Sequence, residues 1–197
     1  MPAQLQFWFE FASTYSYPAA MRVQRVAEAS GVKIAWRSFL LGPIFQSQGW
    51  NDSPFNIYPA KGRYMWRDLE RICDELGLPL KRPSVFPRNG LLAARVACQF
   101  ADAPWLPAFV EAVYRANFAE DREISSPEVV GDCLKQAGQD AASVLSAAQS
   151  PEAKSRLRAQ SDEAIRRGIF GAPSFVCGDE LFWGNDRLED AMAWCRK

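Results

Sequence analysis

Short apolar runs lie near the two ends of the chain, and a long stretch of helical spacing separates them. Leu5-Gln6-Phe7-Trp8-Phe9-Glu10-Phe11 is aromatic-rich and partly alternating, the pattern of a strand. Pro18 to Ser30 repeats apolar residues at helical spacing and meets Gly31 as a stop. Lys33-Ile34-Ala35-Trp36-Arg37-Ser38 reads as a second strand. Helix patterns follow. Ala60 to Leu76 is amphipathic and ends at Gly77, and Leu91 to Ala101 is divided from Leu106 to Phe118 by Ala103-Pro104. Ser126-Pro127 opens another helix, Gly138 separates two more, and Pro151 sits in the first turn of one reaching Gly168. Ala172-Pro173 then leads into a strand, Gly178-Asp179 makes a tight turn, and Glu180 to Gly184 forms a second strand. Asn185 to Lys197 has the spacing of a closing helix, opened by Asn185 or Asp186. The pattern predicts a β-α-β half, a helical insertion of roughly 130 residues and a β-β-α half. Residues 1–38 with 170–197 form the sheet-bearing part, and 39–169 form the insertion. No repeat or flexible linker separates them, so a cleft is expected where they pack together.

The first strand hands over to the first helix through Ser13-Thr14-Tyr15-Ser16, which has the spacing of a Cys-x-x-Cys redox motif with hydroxyls in both thiol positions. A helix start gathers unpaired N–H groups and partial positive charge, a favourable place for an anion. In a redox protein that anion is the protein's own thiolate; here a thiolate must arrive on another molecule. Ser is also a favoured helix cap, so Ser13 has a purely structural reading as well.

Composition narrows the chemistry. The 197 residues suit one domain, or one domain with a large insertion. Lys+Arg and Asp+Glu both number 23, which gives no electrostatic case for nucleic acid or an anionic membrane. No basic segment with an apolar core opens the chain and no apolar run is long enough to span a bilayer, so a cytoplasmic protein is expected. Cys73, Cys98, Cys133, Cys177 and Cys195 are odd in number and far apart, which favours reduced thiols over a disulfide framework. The first three fall in helical segments and read as small core residues. With no histidine in the chain, neither a Ser-His-Asp arrangement nor a histidine metal site can form, and no metal is expected.

Across nearly the whole length the chain resembles the kappa-class glutathione transferases and the related 2-hydroxychromene-2-carboxylate isomerases, on a thioredoxin fold of the disulfide-oxidoreductase A type. Five blocks carry the resemblance in order: Phe9 to Tyr17; Phe39-Leu40-Leu41-Gly42-Pro43-Ile44-Phe45; Pro59 to Met65 with Arg67-Asp68-Leu69; Phe86 to Ala93; and Gly171 to Phe175 with Phe182 to Leu188. It implies an α/β thioredoxin-like fold with a large all-helical insertion between its two halves, and a cis Pro173. It also implies that Ser13 bonds a glutathione sulfur, that the Ala172 backbone before Pro173 pairs with the glutathione backbone, and that Asn185, Asp186 and Arg187 take the γ-glutamyl end. Lys61 would reach the glycyl carboxylate or the substrate carboxylate. Asn89, with Tyr15, Phe45 and Trp50, would line a pocket for a small aromatic substrate.

The activity so implied is a cis-trans type isomerisation of an aromatic 2-oxo-enoate in aromatic catabolism, by a homodimer. A glutathione thiolate adds to the conjugated double bond, the bond rotates, and elimination restores both the alkene and the cofactor. A transferase or peroxidase that consumes glutathione uses the same residues, and a non-catalytic thioredoxin-fold binding protein is the third reading. Thiol-disulfide exchange is poorly supported, because neither Ser13 nor Ser16 can form a mixed disulfide. Three positions depart from the family pattern: Thr14 stands where Pro is usual, Gln46 where Lys is common, and Ser47-Gln48-Gly49-Trp50 where Ala-Thr-Gly-Asn is typical. The last two exchange a cation and an amide for a neutral side chain and a large ring, so they bear on the substrate and leave the glutathione half intact.

Overall fold

The computed structural model describes residues 4–197. Strands β1 (Gln4–Phe9), β2 (Lys33–Ser38), β3 (Ser174–Cys177) and β4 (Glu180–Trp183) form one sheet in the order β2-β1-β3-β4. Helix α1 (Ser16–Ser30) is the crossover that lets β1 and β2 pair in parallel, from Gln4 opposite Lys33 to Phe9 opposite Ser38. β3 runs antiparallel to β1 with Trp8 opposite Ser174, and the Gly178-Asp179 turn returns the chain as antiparallel β4. Between β2 and β3 the chain is helical: α2 (Leu41–Ser47), α3 (Pro54–Ile57), α4 (Pro59–Leu76), α5 (Leu91–Gln99), α6 (Leu106–Phe118), α7 (Pro127–Gln136), α8 (Ala141–Ala148) and α9 (Pro151–Arg166). α10 (Leu188–Cys195) closes the fold. None of these helices is long and apolar enough to cross a membrane.

Both faces of the sheet are covered, and the period of two along β1 explains how. Phe7 and Phe9 point to one side, where Phe7 stacks with Phe9 and Phe175 and both meet Trp36 edge-on. Trp8 points to the other, into a smaller cluster with Phe39, Ile44, Ala164 and Ile169. The larger cluster continues without a break from the sheet into the inserted helices: Phe11 packs on Phe109 and Tyr114, and Tyr17 stacks on Phe118. The helices between β2 and β3 therefore share their core with the sheet.

Several boundaries move from those the pattern predicts. β1 stops at Phe9, because Glu10 to Ser13 turn away from the sheet with the Ser13 N–H bonded to the Glu10 carbonyl at 3.0 Å. Helices α2 and α3 occupy a segment before Ala60 in which the pattern marks no helix; at seven and four residues they are too short to show a period. The closing helix begins at Leu188, after a 3-10 turn over Asn185–Arg187, and neither Asn185 nor Asp186 caps it through its side chain. The expected stops at Gly31 and Gly77 are left-handed C-caps, at φ 66° and 63°. The Ala172–Pro173 peptide bond is cis, as expected, and so is Phe86–Pro87.

Cysteine usage needs a correction. Cys73, Cys98 and Cys133 are buried free thiols, each pushed up to about 11 by desolvation. Cys177 and Cys195, however, form a disulfide, against the expectation that all five are reduced. They are 18 apart in sequence, yet the β3-β4 hairpin and the packing of α10 on β3 bring the end of α10 beside the end of the central strand. Sequence spacing alone cannot show that return. Thiol titration of the unfolded, non-reduced protein should find the three free cysteines, and all five after reduction. A loop of this length stabilises the fold by about 3 kcal/mol, so Cys195→Ser should lower the urea midpoint of the non-reduced protein and leave that of the reduced protein nearly unchanged.

Candidate active site

The turn from β1 into α1 delivers Ser13 to the surface of a cleft of about 610 Å³ between the sheet and the inserted helices. Its hydroxyl accepts from the Ser16 N–H at 3.3 Å and donates to the Ala172 carbonyl at 2.8 Å. Ser13 thus caps the first turn of α1 and also ties that turn to the residue before the cis proline. The N–H groups of Thr14, Tyr15 and Ala172 have no partner among the described residues. A hydroxyl and open backbone donors therefore meet at one end of the cleft, where helix-start polarity favours negative charge. Thr14 itself turns inward, its hydroxyl 3.0 Å from the Met65 sulfur.

The rest of the cleft is mainly apolar. Tyr15, Phe45 and Trp50 line it together with Leu40, Leu41, Phe55 and Phe86. Phe45 and Trp50 lie in contact, with ring centroids 5.8 Å apart. The Tyr15 hydroxyl donates to Asp68 at 2.9 Å, and burial together with that carboxylate holds the phenol well above its usual range. Lys61, in the first turn of α4, is exposed at the cleft with its ammonium 4.8 Å from the Tyr58 ring centre. Asn89 also lines the cleft, its side-chain oxygen accepting from the Leu91 N–H at 2.9 Å.

Ser13, Ala172, Lys61, Asn89, Tyr15, Phe45 and Trp50 thus converge on one cavity. Pro173, Asn185, Asp186 and Arg187 do not line it. Asn185 is buried and held by Arg22 of α1, which donates to its carbonyl at 2.6 Å and to its side-chain oxygen. Asp186 and Arg187 are exposed and ion-paired at 2.9 Å.

Several cleft residues carried no assignment from the sequence. Phe170 and Trp183 stand at the rim with centroids 4.9 Å apart, and Trp183 lies so close over Gly171 that a methyl there would sit 2.4 Å from the indole nitrogen. Arg88 is buried under the wall. It donates to Asn117, to Ser84 and to the Asp121 carboxylate, and so fixes the loop that carries Asn89. Glu10 is 8% exposed; one carboxyl oxygen accepts from the Ala12 N–H at 3.1 Å and the other has no partner among the described residues. Burial pushes its carboxyl up to about 7, against the opposing pull of the Ala12 and Ser13 N–H groups. The run Phe9-Glu10-Phe11 held a signal: an acid between aromatics at the end of a buried strand.

The raised carboxyl carries a stability cost with a definite sign. Its pKa rises from 4.5 to about 7 on folding, so the folded state binds the proton more tightly. The penalty is absent at low pH, grows as pH rises above the unfolded value and is complete above the folded one. Glu10→Gln should therefore stabilise the protein by roughly 3 kcal/mol at pH 8 and change little at pH 4, read from urea midpoints.

A DSBA-like thioredoxin domain matches residues 4–192. The 2-hydroxychromene-2-carboxylate isomerase of Pseudomonas putida is 32% identical over 206 residues, covering 98% of this chain and 96% of that protein. Human glutathione S-transferase kappa 1 is 23% identical, covering 96% and 89%. A solved structure of 2-hydroxychromene-2-carboxylate isomerase matches with a TM-score of 0.84 at 28% identity, covering 98% of this chain and 96% of that one. The chain belongs to the DSBA-like thioredoxin family, in the branch that holds the 2-hydroxychromene-2-carboxylate isomerases and the kappa-class glutathione transferases.

Proposed function

We propose that this protein is a glutathione-dependent isomerase of a small aromatic 2-oxo-enoate of the 2-hydroxychromene-2-carboxylate type. The observation that carries the reading is the position of the Ser13 hydroxyl, at the head of α1 and 2.8 Å from the Ala172 carbonyl, on a cleft walled by aromatic rings. The donor set fits glutathione. A hydroxyl with the open N–H groups of Thr14 and Tyr15 suits a thiolate, the free Ala172 N–H suits a peptide carbonyl, and the Lys61 ammonium suits a carboxylate. Asp186 and Arg187 follow cleft-lining Trp183 closely in the chain and are exposed, available to the γ-glutamyl end.

When bound, glutathione supplies a thiolate nucleophile able to make a conjugated double bond rotatable. Ser13 holds that charge by donation and is no nucleophile itself, since its hydroxyl has only backbone partners, the Ser16 N–H and the Ala172 carbonyl, and no basic side chain to take its proton. To do so its hydroxyl turns from the Ala172 carbonyl toward the cleft, a rotation about one side-chain bond. Tyr15, Phe45 and Trp50 bury the aryl ring and exclude water, which strengthens each polar contact in the cleft. Gln46 lines the cavity as a neutral side chain, so Lys61 is left to meet a substrate carboxylate.

The reading is tested by steady-state turnover of 2-hydroxychromene-2-carboxylate with and without glutathione. Isomerisation that requires glutathione without consuming it supports the proposal, stoichiometric consumption favours a transferase, and no rate enhancement leaves a binding protein. Donation to a thiolate contributes roughly 1.5–3 kcal/mol. Ser13→Ala should accordingly raise the thiol pKa of bound glutathione and slow turnover by about one to two orders of magnitude. Thiolate absorbance against pH checks the first effect; coincident titrations with lost activity would show that Ser13 acts in some other way.

A further inference from the structure

The mechanism above does not use Glu10, although it lines the cleft. Glu10 lies three residues before Ser13 on the same turn, closed by the Ser13 N–H on the Glu10 carbonyl at 3.0 Å. Its side chain is more than nine-tenths buried yet lines the cleft, and one carboxyl oxygen has no partner among the described residues. Gly90 makes room on that side: a methyl there would sit 3.6 Å from this oxygen and 2.9 Å from the Phe11 Cβ.

No cation compensates a charge at this position. From α6, Tyr114 faces Glu10 and donates its hydroxyl to the Glu10 carbonyl at 2.9 Å; burial, then the neighbouring carboxyl, hold this phenol well above its usual range. From the loop before α5, Arg88 directs its nitrogens to Asn117, Ser84, Asp121 and Glu123. On the α1 side the backbone N–H groups of Ala12 and Ser13 face the carboxyl, while the Ser13 hydroxyl is engaged with Ser16 and Ala172, Thr14 turns to Met65 and Tyr15 is committed to Asp68. Without histidine, no imidazole can serve as a proton acceptor anywhere in the chain.

We propose that Glu10 is the proton acceptor for the thiol of glutathione in this cleft, so that the carboxyl and the sulfur share a single proton. The step is balanced: the S–H bond breaks, an O–H bond forms on Glu10, and the negative charge moves from carboxylate to sulfur. Release of glutathione reverses it. Two anions in one poorly solvated cleft repel strongly, so ionisation of either group keeps the proton on the other. Ser13 stabilises the thiolate once formed, whereas Glu10 determines where its proton goes. The proposal rests on glutathione being the ligand, and it deepens that reading by assigning the acid-base group.

Proton release on binding of glutathione alone, with no second substrate, tests it. Calorimetry in buffers of different ionisation enthalpy counts protons released, and ultraviolet absorbance reports the thiolate. Near pH 5.5 Glu10 is already protonated, so each thiolate formed should release about one proton to the buffer. Toward pH 8 the parent should form the thiolate with release falling toward zero, because Glu10 takes the proton. In Glu10→Gln, release should stay at about one proton per thiolate at every pH. Glu10→Asp, which keeps a carboxyl, should restore the fall with a displaced midpoint. A pH-independent release of one proton per thiolate in the parent overturns the proposal without any variant, as does the same profile in parent and Glu10→Gln. Binding with these proton counts but no isomerisation would overturn the proposed activity and leave Glu10 standing. No binding of glutathione overturns both.

Discussion

Two buried hydrogen bonds from α6 hold the segment on which the site depends. Where the chain leaves β1, the carbonyls of Glu10 and Phe11 lose their sheet partners in an apolar interior. The Tyr114 hydroxyl donates to the first at 2.9 Å and the Asn117 amide to the second at 3.0 Å. The Glu10 carbonyl also accepts from the Ser13 N–H, whereas the Phe11 carbonyl has only the Asn117 amide among the described residues. A buried carbonyl left without a donor costs about 1–3 kcal/mol, so these contacts determine where the turn can run. Rings reinforce them, with Phe11 against Tyr114 and Tyr17 stacked on Phe118. The inserted helices are therefore the clamp that positions Ser13, and they belong to the same core as the sheet.

The neighbouring loop of the cleft is fixed by a polar anchor of another kind. Arg88 is buried, and its guanidinium joins Ser84, Asn117 and Asp121, so the loop carrying Asn89 and Gly90 is tied to α6. Asn117 takes part in both arrangements, through its side-chain oxygen to Arg88 and its amide to Phe11. One residue of α6 thus couples the Glu10–Ser13 turn to the loop that carries Asn89. Backbone N–H groups, the Ser13 hydroxyl and the Glu10 carboxyl then face a largely apolar cavity, where charge is poorly screened and small changes in protonation carry large energies.

How much of this could be read beforehand depends on the range of the interaction. Gly31 and Gly77 end their helices as expected, since left-handed C-caps are local and glycine adopts them without strain. Ser13, Lys61 and Asn89 could be selected from their motifs, and the structure brings all three to the cleft. Asn185 also stood out, but its side chain answers to Arg22, 163 residues away in the chain. Its burial follows from the docking of the last helix against α1, which no local pattern encodes.

The chain by itself determined its strands, most of its helices and the absence of any imidazole, because alternation, helical spacing and the missing histidine are properties of neighbouring residues and of composition. Tertiary structure alone decided three things: the pairing of Cys177 with Cys195, the alignment of Phe45, Phe55 and Phe86 into one wall, and the burial of Glu10 without a cation. Each depends on distances between residues remote in sequence. A carboxyl's proton affinity is set by the groups and solvent around it, and those are absent until the chain has folded.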